Sequence, residues 1–506
     1  MKIKFILYAI LLTGLLLGTS CKKSFLEVTP KGEVLESNYY QTPDQVFSAL
    51  VAVYNCTEAE AGYGINWYAN KLAPLNCAGD ECWAGGGGST DMATYQVWNN
   101  YTMTSANAIS AKFWEMDYAG VYRANLLISK LATPITGLSD ADATRDIAEC
   151  KTLRAYFYFE LVRLFKNIPL TTEPISTSDM YNIVQAVPDS VFAQIERDLN
   201  DAIPVLPSTV ASTENGRLTK GAAEALLGKV ILWQNNTSRM AEAASWLNKV
   251  NTSGVYSLLP NYRDIFDPAN KFNSESIWEI DHSGSTQAQW GPSDFRGDVY
   301  CIMVGPRSYS TGGGSPDADH TYYSGWSFNP IIPAFAAKIH NDPRYRWTVA
   351  DLDSLKAIGQ AAYLPGYANT GLFIQKYAPL RKWLAPVGAD ALNFPNDVIE
   401  IRLADTYLME AEALVRGSGD LVRAQALLDA VRARVGLASV TVSLDNIYNE
   451  RMLELATEGH RWFDLIRTGQ AASVLAFKGF VAGKSELLPI PLEELNNTKL
   501  VQNPGY

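Results

Sequence analysis

The chain has 506 residues, of which 47% are hydrophobic and 19% charged, and its formal net charge is −11 at pH 7. This length and apolar content are typical of a globular protein with a large core and exclude an intrinsically disordered chain. The net negative charge repels phosphate backbones, which argues against nucleic acid as a partner.

The N-terminus is typical of an exported lipoprotein. Lys2 and Lys4 precede an apolar run that is too short to span a bilayer comfortably, and small residues then lead to Cys21. We predict a signal peptide over residues 1–20 and a lipidated N-terminus with a tether over residues 21–34. Acyl chains on Cys21 would anchor the protein to a membrane; the alternative is an ordinary signal peptide that happens to contain a cysteine.

Five further cysteines follow Cys21, and an odd number in an exported chain leaves at least one of them unpaired. Cys77 and Cys82 are close enough in sequence to close a small disulfide. They lack the spacing and the partner ligands of a zinc site. The sequence is compatible with a disulfide between these two cysteines and with two free thiols.

Helical patterns dominate the rest of the chain. Thr42 followed by Pro43 predicts a helix start, and so do Thr219 and Asp420. Apolar residues at helical spacing predict further helices over residues 113–131, 146–165, 188–206 and 219–234, and again from about Val398. The segment 398–436 predicts a hairpin of two helices with an alanine-rich contact face, similar to a tetratricopeptide unit.

Two blocks, residues 60–110 and 252–330, interrupt the helical pattern. They are rich in glycine and aromatic residues, and Gly85–Gly88 cannot hold a regular element cheaply. Long irregular segments in a compact chain are often functional. We therefore expect these blocks to carry the ligand surface.

No sequence motif predicts a catalytic, metal or cofactor site. Nucleotide-binding glycine loops, zinc-protease motifs and nucleophile elbows are absent from the sequence, and none of its four histidines sits in a pair with metal-ligand spacing. "PDADH" at residues 316–320 hints at calcium, but Tyr322 stands where an EF-type loop needs glycine. We expect no catalytic residues, no metal and no cofactor.

The stretch "ELATEGHRWFDLIRTG" at residues 454–469 concentrates charge. One hypothesis makes Glu458, His460 and Asp464 an acid–base set. The other makes the stretch structural, with its acids and arginines paired across helical turns while Trp462 and its neighbours enter the core. Spacing favours the structural hypothesis.

The same stretch resembles the C-terminal signature of the SusD/RagB family, outer-membrane nutrient-binding lipoproteins of Bacteroidetes. "LLPIPLEEL" at 487–495, the terminal "NPGY", "LRAYFYFELVRLF" at 153–165 and "IRLADTYLMEAEAL" at 401–414 strengthen the resemblance. It implies a mainly α, SusD-like fold in which tetratricopeptide-like hairpins pack against an irregular, loop-rich ligand-binding part. Residues 35–250 would form the N-terminal region, and residues 251–506 the C-terminal region with ligand-binding loops at 280–330 and the hairpin at 398–436.

The resemblance also implies a function. Family members are binders rather than enzymes: they capture oligosaccharides at the cell surface and deliver them to a SusC-like TonB-dependent outer-membrane transporter. The expected location is the outer membrane, with a lipid anchor and the body facing the exterior. Some branches serve peptide uptake, so a RagB-like peptide-binding lid is the alternative cargo assignment, and a glycoside hydrolase is the least favoured hypothesis.

Glycan contacts are not part of the shared motifs, so we predict them from chemistry. A sugar ring stacks its apolar face on an aromatic plane, and its hydroxyls need amide, acid or arginine partners. The two irregular blocks supply such residues: Trp67, Asp80, Trp83, Trp290, Arg296, Tyr322, Tyr323 and Trp326.

Overall fold

The structure is a computed structural model that describes residues 39–57, 71–176, 178–286, 289–290 and 296–506. The predicted signal peptide, Cys21 and Trp67 lie outside these residues.

Helices dominate the first half of the described chain, and side chains cap several of them where the sequence predicts. Thr42 accepts a hydrogen bond from the Gln45 amide, and Thr219 from the Ala222 amide. The helices are α1 (Pro43–Tyr54), α2 (Leu72–Ala78), α3 (Ala93–Asn99), α4 (Ala108–Lys130), α5 (Asp140–Phe165), α6 (Pro188–Ala202), α7 (Lys220–Trp233) and α8 (Met240–Asn251).

The second half contains shorter helices and a second group of long ones. These are α9 (Val299–Val304), α10 (Pro333–Ile339), α11 (Tyr345–Thr348), α12 (Leu352–Ala357), α13 (Leu403–Arg416), α14 (Leu421–Arg434), α15 (Leu444–Glu454), α16 (Arg461–Arg467), α17 (Ala471–Val474) and α18 (Leu492–Leu495). Asp420 caps α14 and Ser443 caps α15.

The long helices pack against one another in pairs. Helix α5 lies between α4 and α6, α7 pairs with α8, and α13 contacts both α8 and α14. Small residues allow the close approach, since a Cβ added to Gly228 on α7 would lie 2.6 Å from Cγ of Leu247 on α8. The predicted mainly α fold with tetratricopeptide-like hairpins is confirmed.

Within the residues that the structure describes, eight short strands form four separate antiparallel pairs. The pairs are β1 (Ile168–Pro169) with β2 (Gln185–Ala186), β3 (Ser276–Ile280) with β8 (Val398–Arg402), β4 (Arg307–Ser310) with β6 (Ala362–Leu364), and β5 (Val349–Asp351) with β7 (Leu372–Ile374).

Strand β8 corrects the prediction that a helix begins near Val398. Its sequence VIEIR is fully buried, and its β-branched residues suit a strand that pairs with β3. The helix begins only at Leu403. Likewise, the block 60–110 is not irregular throughout, because it contains α2 and α3.

The two irregular blocks meet in a narrow two-stranded ribbon, which we call the bridging ribbon (residues 81–86 against 327–332). The Trp83 amide donates to the Pro330 carbonyl at 2.9 Å, and the Gly86 amide donates to the Ser327 carbonyl at 2.8 Å. Gly85 has a φ of +69°, and a Cβ there would lie 2.4 Å from the Ser327 carbonyl oxygen. The glycine run therefore allows the two backbones to approach closely.

Candidate functional site

The most exposed tryptophan of the described chain forms the centre of the candidate site. Trp290 is 53% exposed, and its ring stacks on Trp326 with 6.2 Å between centroids and 29° between planes. Trp326 is half-buried, and its amide donates to the Ile302 carbonyl at 2.9 Å. We call Trp290 and Trp326 the aromatic platform. The apolar face of a ligand can stack on the solvent-exposed part of this platform.

Polar groups that a ligand could reach lie beside the platform. The Arg307 guanidinium donates to the Trp326 carbonyl at 3.0 Å and to the Asp91 carboxylate at 3.2 Å. Asp91 also accepts from the Gly87 amide at 2.7 Å, which holds the end of the glycine run. Sequence analysis did not select Arg307 or Asp91, because single charged residues in loops carry no distinguishing pattern.

Tyr323 lies three residues before Trp326 and is half-buried. A hydrogen bond with Asp390 and partial burial raise the pKa of its hydroxyl, while the nearby Arg381 guanidinium acts in the opposite direction. The Arg381 guanidinium also lies over the Tyr323 ring, 5.8 Å from its centroid. Tyr323 therefore combines an accessible ring with hydrogen-bonding neighbours.

Two predicted site residues are buried instead of exposed. Tyr322 is 1% exposed, and its hydroxyl donates to Gln375 at 2.7 Å. Asp80 is 5% exposed and accepts from the Arg461 guanidinium at 2.7 Å and from Lys338 at 3.3 Å. Their polar groups are thus committed to protein partners, which places them behind the ligand-accessible surface.

Trp83 and Arg296 lie apart from the platform pair. The Trp83 ring packs against Phe477, with 5.6 Å between centroids. Arg296 is exposed and lines a cavity of about 330 Å³ beside the C-terminal half of α1. The structure therefore pairs Trp290 with Trp326, buries Asp80 and Tyr322, and gives Trp83 and Arg296 other neighbours.

The charged stretch at residues 454–469 forms part of the core. Trp462, Phe463 and Leu465 are buried, as the structural hypothesis predicts. The ion pairs differ from the prediction, because most of them join distant parts of the chain: Glu454 pairs with Arg344 and Arg402, and Arg461 with Asp80. Only Arg467 with Asp464 keeps the expected spacing within one helix.

The surroundings of His460 and Asp464 in this ion-pair network do not suit an acid–base set. Burial lowers the pKa of His460 to about 4, helped by the Lys229 ammonium. Burial alone would raise the pKa of Asp464, but Arg451 and Arg467 hold it at about 2. A neutral imidazole and a fixed carboxylate inside a helical turn suit a structural role.

Cys77 and Cys82 are both free, buried thiols, so the disulfide that their spacing allows is not formed. In the part of the chain that the structure describes, no three His, Cys, Asp or Glu side chains gather as a metal site would require. Among those same residues, no helix has both the length and the apolar character needed to cross a bilayer.

The model of the SusD family matches residues 339–506, and a second family model, described as starch-binding associating with outer membrane, matches residues 25–232. SusD-like protein P2 of Formosa agariphila is 27% identical over 541 residues, which cover 100% of this chain and 99% of that protein.

Two solved structures resemble the whole described fold. A laminarin-binding SusD-like protein is 43% identical, with a TM-score of 0.86 over 92% of this chain and 100% of that chain. Surface glycan-binding protein A from Bacteroides thetaiotaomicron, in complex with laminarihexaose, is 27% identical, with a TM-score of 0.81 over 91% of this chain and 99% of that chain.

Fold and site together define a mostly helical protein that displays aromatic side chains on an irregular part. The chain belongs to the SusD family. The resemblance inferred from the C-terminal signature is confirmed.

Proposed function

We propose that the protein is a non-catalytic surface binding protein that captures a laminarin-type glycan and delivers it to a SusC-like TonB-dependent transporter. One of the similar structures is a laminarin-binding protein and another is a complex with laminarihexaose, which supports this class of ligand. Laminarin is a neutral glucose polymer, so its binding needs aromatic faces and hydroxyl partners rather than a strong opposite charge.

The stacked platform of exposed Trp290 and half-buried Trp326 is the observation that carries the proposal. A glucose ring presents an apolar face that stacks on indole, and the exposed part of each ring would lose contact with water on binding. At the edge of the platform, Tyr323 and Arg307 would form hydrogen bonds with the hydroxyl groups of the sugar. Asp80 and Tyr322 would support the surface from inside, while Trp67, Trp83 and Arg296 stay predicted contacts.

The proposed location is the outer membrane, with the body facing the exterior and a lipid anchor at Cys21. The export signal predicted before Cys21 and the match to a family of starch-binding proteins that associate with the outer membrane support this location. The transporter would receive the glycan from the platform side. Metabolic labelling with an alkyne fatty acid tests the anchor, because Cys21→Ser should remove the label and release the protein from membranes.

Isothermal titration calorimetry with laminarihexaose tests the function. We expect saturable binding by the purified mature protein, with no hydrolysis of the hexaose after prolonged incubation. Binding of peptide mixtures without hexaose binding would favour the RagB-like peptide role instead. Release of shorter sugars would contradict the non-catalytic assignment.

Co-purification tests the transporter partner separately. A tagged chain extracted in mild detergent should retain a TonB-dependent transporter. Recovery of the chain alone, under conditions that preserve other outer-membrane complexes, would contradict the delivery step but leave glycan binding intact.

A further inference from the structure

A second aromatic pair includes Trp83, which lies within the bridging ribbon. Phe477 is 55% exposed, and its ring meets half-buried Trp83 edge to face at 79° between planes. Phe477 belongs to a short 3-10 helix, Ala476–Lys478, which precedes exposed Val481. We call Trp83 and Phe477 the second aromatic patch.

A buried ammonium group fixes the base of the patch. Lys478 Nζ lies 5.0 Å from the Trp83 ring centroid, within cation–π range. It donates to the carbonyls of Cys77 and Cys82 at 2.8 and 2.7 Å, and to the Asn99 side chain at 3.1 Å. The loop that carries Phe477 is therefore tied firmly to the segment that carries Trp83.

Polar residues lie on the segments next to the patch. Asn100 is exposed, and a Cβ added to Gly479 would lie 3.2 Å from its carbonyl oxygen. Lys338 is exposed and pairs with Asp80, three residues before Trp83. An apolar aromatic face with amide and ammonium groups on neighbouring segments suits a neutral sugar chain.

The bridging ribbon sets the spacing between the patch and the platform. The Trp83 amide is bonded to the Pro330 carbonyl, and Trp326 lies four residues before Pro330. Ser327 and Asn329 have φ values of +62° and +49°, so the four-residue segment spans less than the distance of about 13 Å that fully extended chain would reach at about 3.3 Å per residue. One oligosaccharide chain is long enough to reach both surfaces.

We infer that Phe477 and Trp83 form a second glycan subsite, which binds the same sugar chain as the platform and adds to its affinity. This inference rests on the proposed glycan-binding function. Two weak contacts on one ligand reinforce each other, because the second contact forms without the full entropic cost of a separate binding event. The subsite therefore contributes only when the oligosaccharide is long enough to span both surfaces.

The test compares laminaritriose with laminarihexaose by calorimetry on the wild type and on Phe477→Ala. The wild type should bind the hexaose more tightly than the triose. Phe477→Ala should leave the triose affinity unchanged and weaken the hexaose affinity by roughly threefold to tenfold, the usual effect of removing one aromatic contact. The ratio of the two affinities is independent of the fraction of folded protein.

Tyr181→Ala is the matched control, since Tyr181 is 54% exposed and also lies on a short 3-10 helix, Met180–Asn182. It should keep the wild-type ratio. Phe477→Ala with a wild-type ratio would overturn the second subsite, while the proposed function would survive on the measured hexaose binding. If the wild type bound neither sugar, the proposed function and this inference would both fail.

Discussion

At the scale of single residues, Glu454 shows what the C-terminal signature does. Its carboxylate accepts from Arg344 at 2.8 Å, from Arg402 at 2.6 Å and from Arg434. Burial alone would raise the pKa of Glu454, but these three guanidinium groups hold it well below its usual value. Three segments of the chain thus converge on one buried anion.

Replacing Glu454 by Gln should reduce the free energy of unfolding by about 3–5 kcal/mol, because buried guanidinium groups lose their counter-charge. Urea unfolding measures the change. Glu242→Gln provides the control. Glu242 on α8 forms an exposed ion pair with Arg239, so this substitution should change the free energy of unfolding by less than about 1 kcal/mol. Equal stability of the two variants would contradict the role assigned to Glu454.

His460 gives the stability a distinct pH dependence. Burial lowers its pKa from 6.5 to about 4 in the folded chain, with Lys229, Asp405, Glu458 and Arg451 as its charged neighbours. As the pH falls from 6.5 to 4, His460 becomes protonated in the unfolded chain but stays neutral in the folded chain. The free energy of unfolding therefore decreases. This part of the stability is fully present above pH 6.5.

His460→Gln should therefore lose less stability than the wild type between pH 7 and pH 5, measured by urea unfolding at each pH. Other titrating groups are common to both proteins and cancel in the comparison. Laminarihexaose binding at pH 7 should be the same for both. A variant that folds normally but no longer binds the hexaose would contradict the structural role of His460.

Residue-scale predictions from the sequence succeed where local pattern decides the outcome. Trp462 and Phe463 are buried as their apolar spacing predicts, and Thr42 and Thr219 cap helices. The partners of Glu454 and Arg461 could not be predicted, because they lie far away in the sequence. Phe477 was missed for the same reason, since one phenylalanine in a loop gives no sign of its exposure or of the Trp83 ring beside it.

At the scale of elements, close helix packing decides which sequences the array accepts. Gly228 faces Leu247 where α7 and α8 meet, and a Cβ there would lie 2.6 Å from Cγ of Leu247. Strand β8 directly precedes α13, and its sequence fits the helical pattern of α13. Its pairing with β3 nevertheless makes it a strand. Tertiary pairing of this kind leaves no signal in one segment alone.

Gly228→Ala should lower the free energy of unfolding by about 1–3 kcal/mol, because the added methyl group overpacks the contact between α7 and α8. Gly313→Ala is the control, since a Cβ there meets nothing within 4 Å. Thermal unfolding of both variants gives the comparison. A Gly228 variant as stable as the Gly313 variant would contradict the close contact.

At the scale of the whole molecule, a rigid helical array carries an irregular part that displays aromatic rings. The array and its signature were predictable, because helical periodicity and the charged stretch are both visible in the sequence. The platform was predictable only as a list of aromatic residues in two blocks. Which of them stack and which are buried depends on the bridging ribbon, which pairs residues about 250 positions apart along the chain, as in the Trp83 and Pro330 pair.

Glycan binding by the platform of Trp290 and Trp326 can be tested by calorimetric titration of a Trp290→Ala, Trp326→Ala double variant with laminarihexaose. We predict a loss of at least about tenfold in affinity, at roughly 1–3 kcal/mol per aromatic contact removed. Unchanged circular dichroism and an unchanged unfolding midpoint would show that the fold is intact. A folded double variant that binds laminarihexaose as tightly as the wild type would contradict the account.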